Sequence, residues 1–386
     1  MSRMRICFLI DEMESIAAGG TERQILQMAE LMLAEGADVQ LCVLRNTEWL
    51  AAMQLPFPVK YLKLHSFFSL GGLAEAWRLR RWLKQERFDL LQTFFVDSNI
   101  AGPILGKSAG VHVVLGSRRN LNHWTSRATR LLQRFSNLFV TRLVANCQAV
   151  KLTIAQEERF PAEKIDVVYN GLDVDSFRPN VPLRMETRKR LGISDDEVLV
   201  GNVSTLRPIK GTELFLECAG LISRSSPQAR FLLVGGGPLQ RQLEQRKSEL
   251  QLGDRFIFAG SQDDVKPYLH AMDLGVLCSE SEGFSNSILE YMAAGLACVV
   301  TDAGGNREAV ADAGEVVPAN DPARLAEAVR RVAADATLRR RYSEAALRRV
   351  QNFGLKTTQK RLGEYYRGLL HREKSLAAAS TDKNPG

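Results

Sequence analysis

The stretch that decides the fold begins at residue 274 and reads LGVLCSESEGFSNSILEYMAAG up to residue 295. Residues 274–278 are apolar, which is typical of a buried parallel strand, and the segment from Ser285 to Gly295 has the N-cap and the terminating glycine of a helix. Glu282 therefore lies in a loop at the carboxyl end of a strand, where open α/β sheets bind ligands. The amides of the first helical turn lack partners within the helix and favour a phosphate. Those amides belong to Asn286, Ser287 and Ile288.

The same alternation of strand and helix runs through the rest of the chain. Near the start, apolar residues 5–10 precede a helical pattern that ends at Gly36, and residues 39–44 form the next strand. The pattern restarts at residue 197, so we expect an α/β protein with two Rossmann-like domains in sequence. We predict a first domain over 1–172, a linker with two prolines over 173–190, a second domain over 191–354, a helix over 355–371 and a disordered tail over 372–386.

Composition and cysteine spacing exclude several classes of protein. The chain has 386 residues, of which 45% are hydrophobic and 25% charged, as in ordinary globular proteins and unlike disordered ones. Its six cysteines are scattered without a Cys-x-x-Cys pair, which favours reduced thiols over disulfides or a zinc site. No apolar run approaches the roughly 18–20 residues of a membrane span, and the apolar stretch at the N-terminus is shorter than a signal-peptide core. These features predict a cytoplasmic protein.

Positive charge is concentrated in one part of the first half. Between Lys60 and Lys151 there are fifteen Lys or Arg against four acidic residues, a balance of +11, whereas the whole chain carries +7. Two segments of this region, 74–84 and 127–140, combine aromatic and basic residues at helical spacing. Such segments suit an anionic bilayer surface, although helices that cover an α/β core show the same pattern. The charge balance favours a peripheral contact at the cytoplasmic face of a membrane.

The segment around Glu282, together with several motifs in order, resembles family 4 glycosyltransferases. The two glutamates of that family's signature, Glu282 and Glu290, are separated by seven residues, and the resemblance runs from about Met4 to Leu370. The other matching motifs are Gly19-Gly20, Asn170-Gly171-Leu172-Asp173, LRPIKG at residues 206–211, Gly260-Ser261 and Gly304-Gly305-Asn306-Arg307-Glu308.

This resemblance implies the GT-B fold, in which two Rossmann-like domains face each other across a cleft and a C-terminal helix packs back on the first domain. It implies a retaining hexosyltransferase that moves a sugar from a UDP- or GDP-sugar to a glycan or lipid-linked acceptor, in surface polysaccharide or lipopolysaccharide biosynthesis. Glu282, Arg207 and Lys210 would be catalytic, because fixed cations stabilise the charge that grows on the leaving diphosphate. The donor-binding residues would be Gly19, Gly20, Ser261, Asn286, Ser287, Ile288 and Glu290.

Two positions depart from the family's pattern. Thr205 stands where many relatives carry an arginine, and we expect Arg207 to take over its contact with the diphosphate. Residues 116–120 read GSRRN where relatives often carry a histidine. Arg118, Arg119 and the later His123 are therefore the candidates for contact with the phosphates or the acceptor. We name no general base, since the family implies that the leaving phosphate oxygen accepts the proton of the acceptor.

We expect neither a metal nor a resident cofactor, because the nucleotide-sugar is itself the substrate. Asp173-Val174-Asp175 has an Asp-x-Asp pattern but lies in the predicted linker, and the five histidines lack the spacing of metal ligands. Two other functions stay open. One is a nucleotide-sugar epimerase on the same fold, and the other is a non-catalytic protein that binds glycans or nucleic acid. The basic region has no nucleic-acid motif, which argues against the nucleic acid.

Overall fold

The structure is a computed structural model that describes residues 3–13, 20–64, 70–121 and 126–381. The chain divides into two compact units, one formed by Met1–Gly171 with Lys356–Gly386 and the other by Leu172–Leu355. Each unit is a parallel β-sheet covered by helices. The predicted fold class, α/β with two Rossmann-like domains, is therefore confirmed.

The first unit is built on a parallel sheet of apolar strands. Its strands are β1 (Arg5–Ile10), β2 (Asp38–Val43), β3 (Val59–Tyr61), β4 (Leu90–Thr93), β5 (Val113–Arg118), β6 (Arg142–Ala145) and β7 (Ile165–Val167). They lie in the order β3-β2-β1-β4-β5-β6-β7. Its first helices are α1 (Gly20–Ala34), α2 (Glu48–Ala52), α3 (Leu70–Glu86), α4 (Val96–Ala109), α5 (Arg127–Ser136) and α6 (Gln148–Glu157). The central strands are continuously apolar because helices cover the sheet on its faces, as the buried run Ile6–Ile10 shows.

The second unit has a sheet in the order β10-β9-β8-β11-β12-β13. The strands are β8 (Val198–Val203), β9 (Ala229–Val234), β10 (Phe256–Gly260), β11 (Leu274–Leu277), β12 (Ala297–Thr301) and β13 (Gly314–Val317). The helices are α7 (Val181–Leu191), α8 (Thr212–Ser223), α9 (Gln240–Glu249), α10 (Lys266–Ala271), α11 (Asn286–Ala293), α12 (Asn306–Val310), α13 (Pro322–Ala334) and α14 (Ala336–Val350). Because β8 and β11 are neighbours in the sheet, the loops that follow them meet at one edge.

The predicted linker over 173–190 needs correction, because most of it is ordered in the second unit. The chain forms a 3-10 turn at Val174–Phe177 and then α7. Asn180 caps α7 by accepting from the amide of Leu183, and Pro182 stands at the start of the helix, where a proline is tolerated. Prolines are typical of linkers, but Pro182 marks the beginning of a helix.

The C-terminal helix is longer than predicted. Helix α15 spans Leu355–Thr381, so the prediction of a disordered tail from residue 372 is wrong up to residue 381. The helix adds apolar residues to the core of the first unit, and the Tyr366 hydroxyl donates to Gln92 on β4. Lys374 forms an ion pair of 3.0 Å with Asp89, which holds the later part of the helix. In the described part of the chain, no helix is long and apolar enough to cross a membrane.

Candidate active site

Three loops of the second unit meet beyond the carboxyl ends of β8, β11 and β12. The loop after β8 ends at Gly211, whose φ is +61°, and a Cβ there would lie 2.1 Å from the carbonyl oxygen of Cys278. The loop after β12 contains Gly304, where a Cβ would lie 1.8 Å from the carbonyl oxygen of Glu282. Both glycines are required because these loops touch the β11 loop through their backbones. The Glu280 amide also donates to the Ile209 carbonyl at 2.9 Å.

Glu282 and Lys210 form an ion pair within this group of loops. The Lys210 ammonium lies 2.7 Å from Oε1 of Glu282, and the same oxygen accepts a 2.6 Å hydrogen bond from the hydroxyl of Ser279. The side chain of Lys210 is 28% exposed and that of Glu282 is 11% exposed, so the ammonium is the more accessible partner. The sequence predicted a role for each charge separately but not their pairing.

Helix α11 directs its N-terminus at the same edge of the sheet. Ser285 is its N-cap, and the first turn contains Asn286, Ser287 and Ile288 as the sequence predicts. The Ser287 hydroxyl donates to the Val203 carbonyl at 3.0 Å, which joins the start of α11 to the end of β8. The macrodipole of the helix therefore favours an anion beside the Lys210 loop.

One turn further along α11, Glu290 is buried. The next residue, Tyr291, holds the helix in place, because its hydroxyl accepts from the Val203 amide at 2.7 Å and donates to the Val276 carbonyl at 3.3 Å. Sequence reasoning missed both Tyr291 and Ser279. The available signal for Ser279 was a hydroxyl at the carboxyl end of a buried strand, three residues before Glu282.

Arg207 and Ser261 lie at the surface of the second unit. The Arg207 side chain is exposed, and none of the described residues forms an ion pair or hydrogen bond with it. The Arg207 amide and carbonyl belong to the turn that presents Lys210, since Lys210 N donates to the Arg207 carbonyl at 3.0 Å. Ser261 follows β10 and is also exposed, so both side chains are accessible to a ligand.

The first-unit candidates divide into three groups. Gly19 and His123 lie outside the described residues. Gly20 is the first residue of α1 and is exposed. Arg118 is buried, and its guanidinium donates to both carboxylate oxygens of Glu158 at 2.8 and 2.9 Å. The prediction that Arg118 contacts a phosphate or an acceptor is therefore wrong, because this internal bidentate pair occupies the guanidinium.

Arg119 is the remaining cation at the end of β5. Its Nη2 donates to Asn170 at 2.5 Å, whereas its buried Nε has no hydrogen-bond partner among the described residues. Burial lowers the pKa of Arg119 to about 10, and the nearby Tyr366 and Glu22 oppose this shift. The side chain is still charged at neutral pH, so Arg119 is a half-buried cation whose Nε has no partner among the described residues.

The described residues contain no group of three or more His, Cys, Asp or Glu that could hold a metal ion. All six cysteines are free and buried. Burial raises the pKa of Cys42 and that of Cys298 to about 12, which keeps both thiols protonated.

Two family models match the chain, one for each unit. The model of the glycosyl transferase 4-like domain matches residues 19–171, and the model of glycosyl transferases group 1 matches residues 184–349. The chain is a family 4-like glycosyltransferase. The predicted recognition and enzyme class are confirmed by these matches and by the named relatives.

Two curated relatives of this glycosyltransferase illustrate the range of named activities. The Escherichia coli UDP-Gal:alpha-D-GlcNAc-diphosphoundecaprenol alpha-1,3-galactosyltransferase is 27% identical over 299 residues, which are 74% of this chain and 77% of that protein. The D-inositol 3-phosphate glycosyltransferase of Frankia alni is 32% identical over 243 residues, which are 60% of this chain and 59% of that protein.

Solved structures share the fold of this glycosyltransferase across nearly all of its length. HepE of Anabaena, crystallised in complex with UDP, has a TM-score of 0.84 at 22% identity and covers 95% of this chain and 100% of its own. WaaG, described as a glycosyltransferase involved in lipopolysaccharide biosynthesis, has a TM-score of 0.72 at 19% identity and covers 94% and 100%. At these identities the likeness supports the fold alone and says nothing about the substrates of this chain.

Proposed function

We propose that this glycosyltransferase moves a sugar from a UDP- or GDP-sugar to a glycan or lipid-linked acceptor, with retention of anomeric configuration, in surface polysaccharide or lipopolysaccharide biosynthesis. The observation that carries the proposal is the Lys210–Glu282 pair beside the N-terminus of α11. HepE crystals with UDP and UDP-glucose support a uridine donor. The named activity of the Escherichia coli relative supports a lipid-linked acceptor.

The second unit offers the diphosphate two cations and a helix N-terminus. The exposed Arg207 would bind phosphate oxygens as a fork, Lys210 would act as a point charge, and the first-turn amides of α11 would complete the cradle. Charge on the diphosphate grows as the glycosidic bond breaks, so these groups stabilise the transition state more than the bound donor. Because the fixed cations supply this charge, we propose a reaction that needs no metal, and activity in EDTA tests it.

The carboxylates would hold the sugars of the donor. Glu282 would accept from hydroxyls of the transferred sugar and Glu290 from the ribose diol, while Ser261 would lie beside the base. In the first unit, Gly20 would allow a close backbone approach to the donor phosphate, and the half-buried Arg119 would contact the acceptor or a phosphate. The leaving phosphate oxygen would accept the proton of the acceptor, which is compatible with retention.

A donor screen tests the proposal. UDP- and GDP-sugars are incubated with the protein and membrane lipid extract, and release of nucleoside diphosphate is measured together with the labelled lipid product. Glycosyl transfer requires that the nucleoside diphosphate and the labelled lipid product appear together. Release of free sugar or nucleotide without an acceptor would instead identify the epimerase, and tight binding of nucleotide without turnover would identify a non-catalytic protein.

We also propose that the protein is cytoplasmic and binds the inner face of an anionic membrane through α5. In an ordinary covering helix, the apolar side faces the core. In α5 the polar side faces the core instead, since Gln133 and Ser136 are buried. Its apolar side faces outward, with Leu131 62% exposed and Phe135 56% exposed, and Leu138 in the following turn is 76% exposed. The apolar face of α5 is thus not used to cover the core.

A second exposed apolar site lies on α3. Trp77 and Leu73, one turn apart, are exposed, whereas Trp82 packs against Phe88 with its ring centroid 5.2 Å away. Helices α3 and α5 both pack against α4, so these exposed side chains belong to one side of the first unit. For Trp82 the core-facing alternative is therefore correct.

The charges around this apolar surface support the proposal of an anionic bilayer over a second copy of the chain. Arg127 and Arg130 flank the apolar side of α5, and Arg81 lies over the Trp77 ring at 5.4 Å. Two such basic surfaces would repel each other, whereas each cation contributes about 1 kcal/mol near anionic headgroups. The apolar side chains add the energy of insertion into the boundary between headgroups and acyl chains.

Liposome flotation tests the membrane contact. We expect binding to vesicles with anionic phospholipid, no binding to neutral vesicles, and weakening above about 0.1 M salt. Replacing Leu131, Phe135 and Leu138 together by Gln should weaken binding roughly 10- to 100-fold, because about half of each side chain is available for burial. The control is Leu221→Gln, an exposed leucine of the second unit. Equal flotation of the triple variant and the control would contradict the assignment of the contact to α5.

A further inference from the structure

The oxygen Oε1 of Glu282 accepts two hydrogen bonds that have different fates during the proposed reaction. One comes from Lys210, whose ammonium is also the group that would bind the donor diphosphate. The other comes from Ser279, which is uncharged and fully buried. When a diphosphate binds, the ammonium must be shared with it or leave the carboxylate. Glu282 then depends on its second donor.

Ser279 is held in position by its own backbone contacts. Its carbonyl accepts from the hydroxyl of Thr301 on β12 at 2.7 Å, and Thr301 is itself fully buried. The preceding residue, Cys278, is in backbone contact with Gly211 of the Lys210 loop. The backbone of Ser279 is therefore fixed, so its hydroxyl can stay bonded to Glu282 if the flexible lysine side chain moves.

We propose that Ser279 is a positioning residue, which keeps Glu282 paired and oriented while Lys210 turns to the diphosphate. The inference rests on the proposed function. A mostly buried carboxylate without a donor is costly, so without Ser279 the carboxylate would compete harder for the ammonium. Ser279 thus lowers the cost of nucleotide binding without touching the nucleotide. It also fixes Glu282 for its contact with the transferred sugar.

The expected signature is a loss of nucleotide affinity that depends on Glu282. Ser279→Ala should weaken the binding of UDP about 3- to 10-fold, or that of GDP if the wild-type protein prefers it. The same substitution in a Glu282→Ala protein should change the affinity less than twofold, because no carboxylate is left to compete for Lys210. Ser279→Cys, which retains a weak donor in a similar volume, should give an intermediate affinity and provides a second variant if the alanine form does not fold.

Isothermal titration on these variants is the test, with melting temperatures to check folding. Ser136→Ala is the matched control, since that hydroxyl is also fully buried and donates a hydrogen bond, to the Asn99 carbonyl in the first unit at 3.0 Å. Equal losses of affinity in the presence and absence of Glu282 would overturn the positioning role, as would unchanged affinity in Ser279→Ala. Nucleotide binding without sugar transfer would refute the proposed function, but the affinities of the Ser279 and Glu282 variants could still be compared. If neither UDP nor GDP binds the wild-type protein, both proposals fail.

Discussion

Replacing Glu282 by Gln should affect nucleotide binding and sugar transfer in opposite directions. The wild-type carboxylate holds the Lys210 ammonium at 2.7 Å, so a diphosphate must compete for that cation. A partly exposed ion pair of this kind contributes up to about 1 kcal/mol. Its removal, together with one negative charge less beside the phosphates, should tighten UDP binding by about 3- to 10-fold. A Lys210→Ala variant should weaken it.

Transfer should slow in the same Glu282→Gln protein. A charge-assisted hydrogen bond to a sugar hydroxyl is worth about 1.5–3 kcal/mol, which corresponds to a rate loss of roughly 10- to 100-fold. Titration calorimetry with UDP and a measurement of kcat with the matching donor separate the two effects. The control is Glu280→Gln, an exposed carboxylate of the same loop, which should change neither. If Glu282→Gln weakens UDP binding as much as Lys210→Ala does, the Glu282 carboxylate and the diphosphate do not compete for Lys210.

Three further predictions test separate parts of the molecule. Arg207→Ala should weaken UDP binding, measured by calorimetry, about as much as Lys210→Ala does. Adding Thr205→Arg to this variant should restore part of the affinity. Full affinity in Arg207→Ala would contradict the role of Arg207 in binding the diphosphate. Tyr366→Phe should lower the free energy of unfolding in urea by about 1–3 kcal/mol, because it removes the hydrogen bond to the buried side-chain oxygen Oε1 of Gln92. An unchanged midpoint would disprove this. Burial raises the pKa of Asp11 to about 6 from its usual value near 4. Between about pH 4 and pH 6, the folded protein therefore binds more protons at Asp11 than the unfolded chain does. The contribution of Asp11 to the free energy of unfolding thus falls as the pH rises from about 4 to about 6. Asp11→Asn should abolish that slope in urea unfolding at several pH values.

Local pattern was sufficient for several strands and helices of each unit. The apolar run at Arg5–Ile10 and the strand–loop–helix sequence around Glu282 lie where the sequence predicts them, because a buried parallel strand and a capped helix are recognisable within a few residues. The length of the C-terminal helix could not be predicted from the local pattern. Residues 372–381 look like a polar tail, but the preceding helix continues through them and Lys374 reaches Asp89, which lies 285 positions away.

The candidate site shows the same division between local and distant information. The sequence identifies Glu282 and Lys210 as charges in loops after strands, but their ion pair joins residues 72 positions apart and exists only because β8 and β11 are neighbours.

Helix α5 shows a different limit of the sequence. Its periodicity identifies an apolar and a polar side, yet periodicity contains no information about which side meets the core. The choice is made by tertiary contacts, such as the Ser136 hydroxyl that donates to the Asn99 carbonyl on α4 at 3.0 Å. With its polar side bonded inward, the helix leaves Leu131 and Phe135 in solvent, where exposed apolar area is unfavourable unless a partner covers it. The orientation of α5, which the sequence does not determine, is therefore also the observation on which the proposed membrane contact rests.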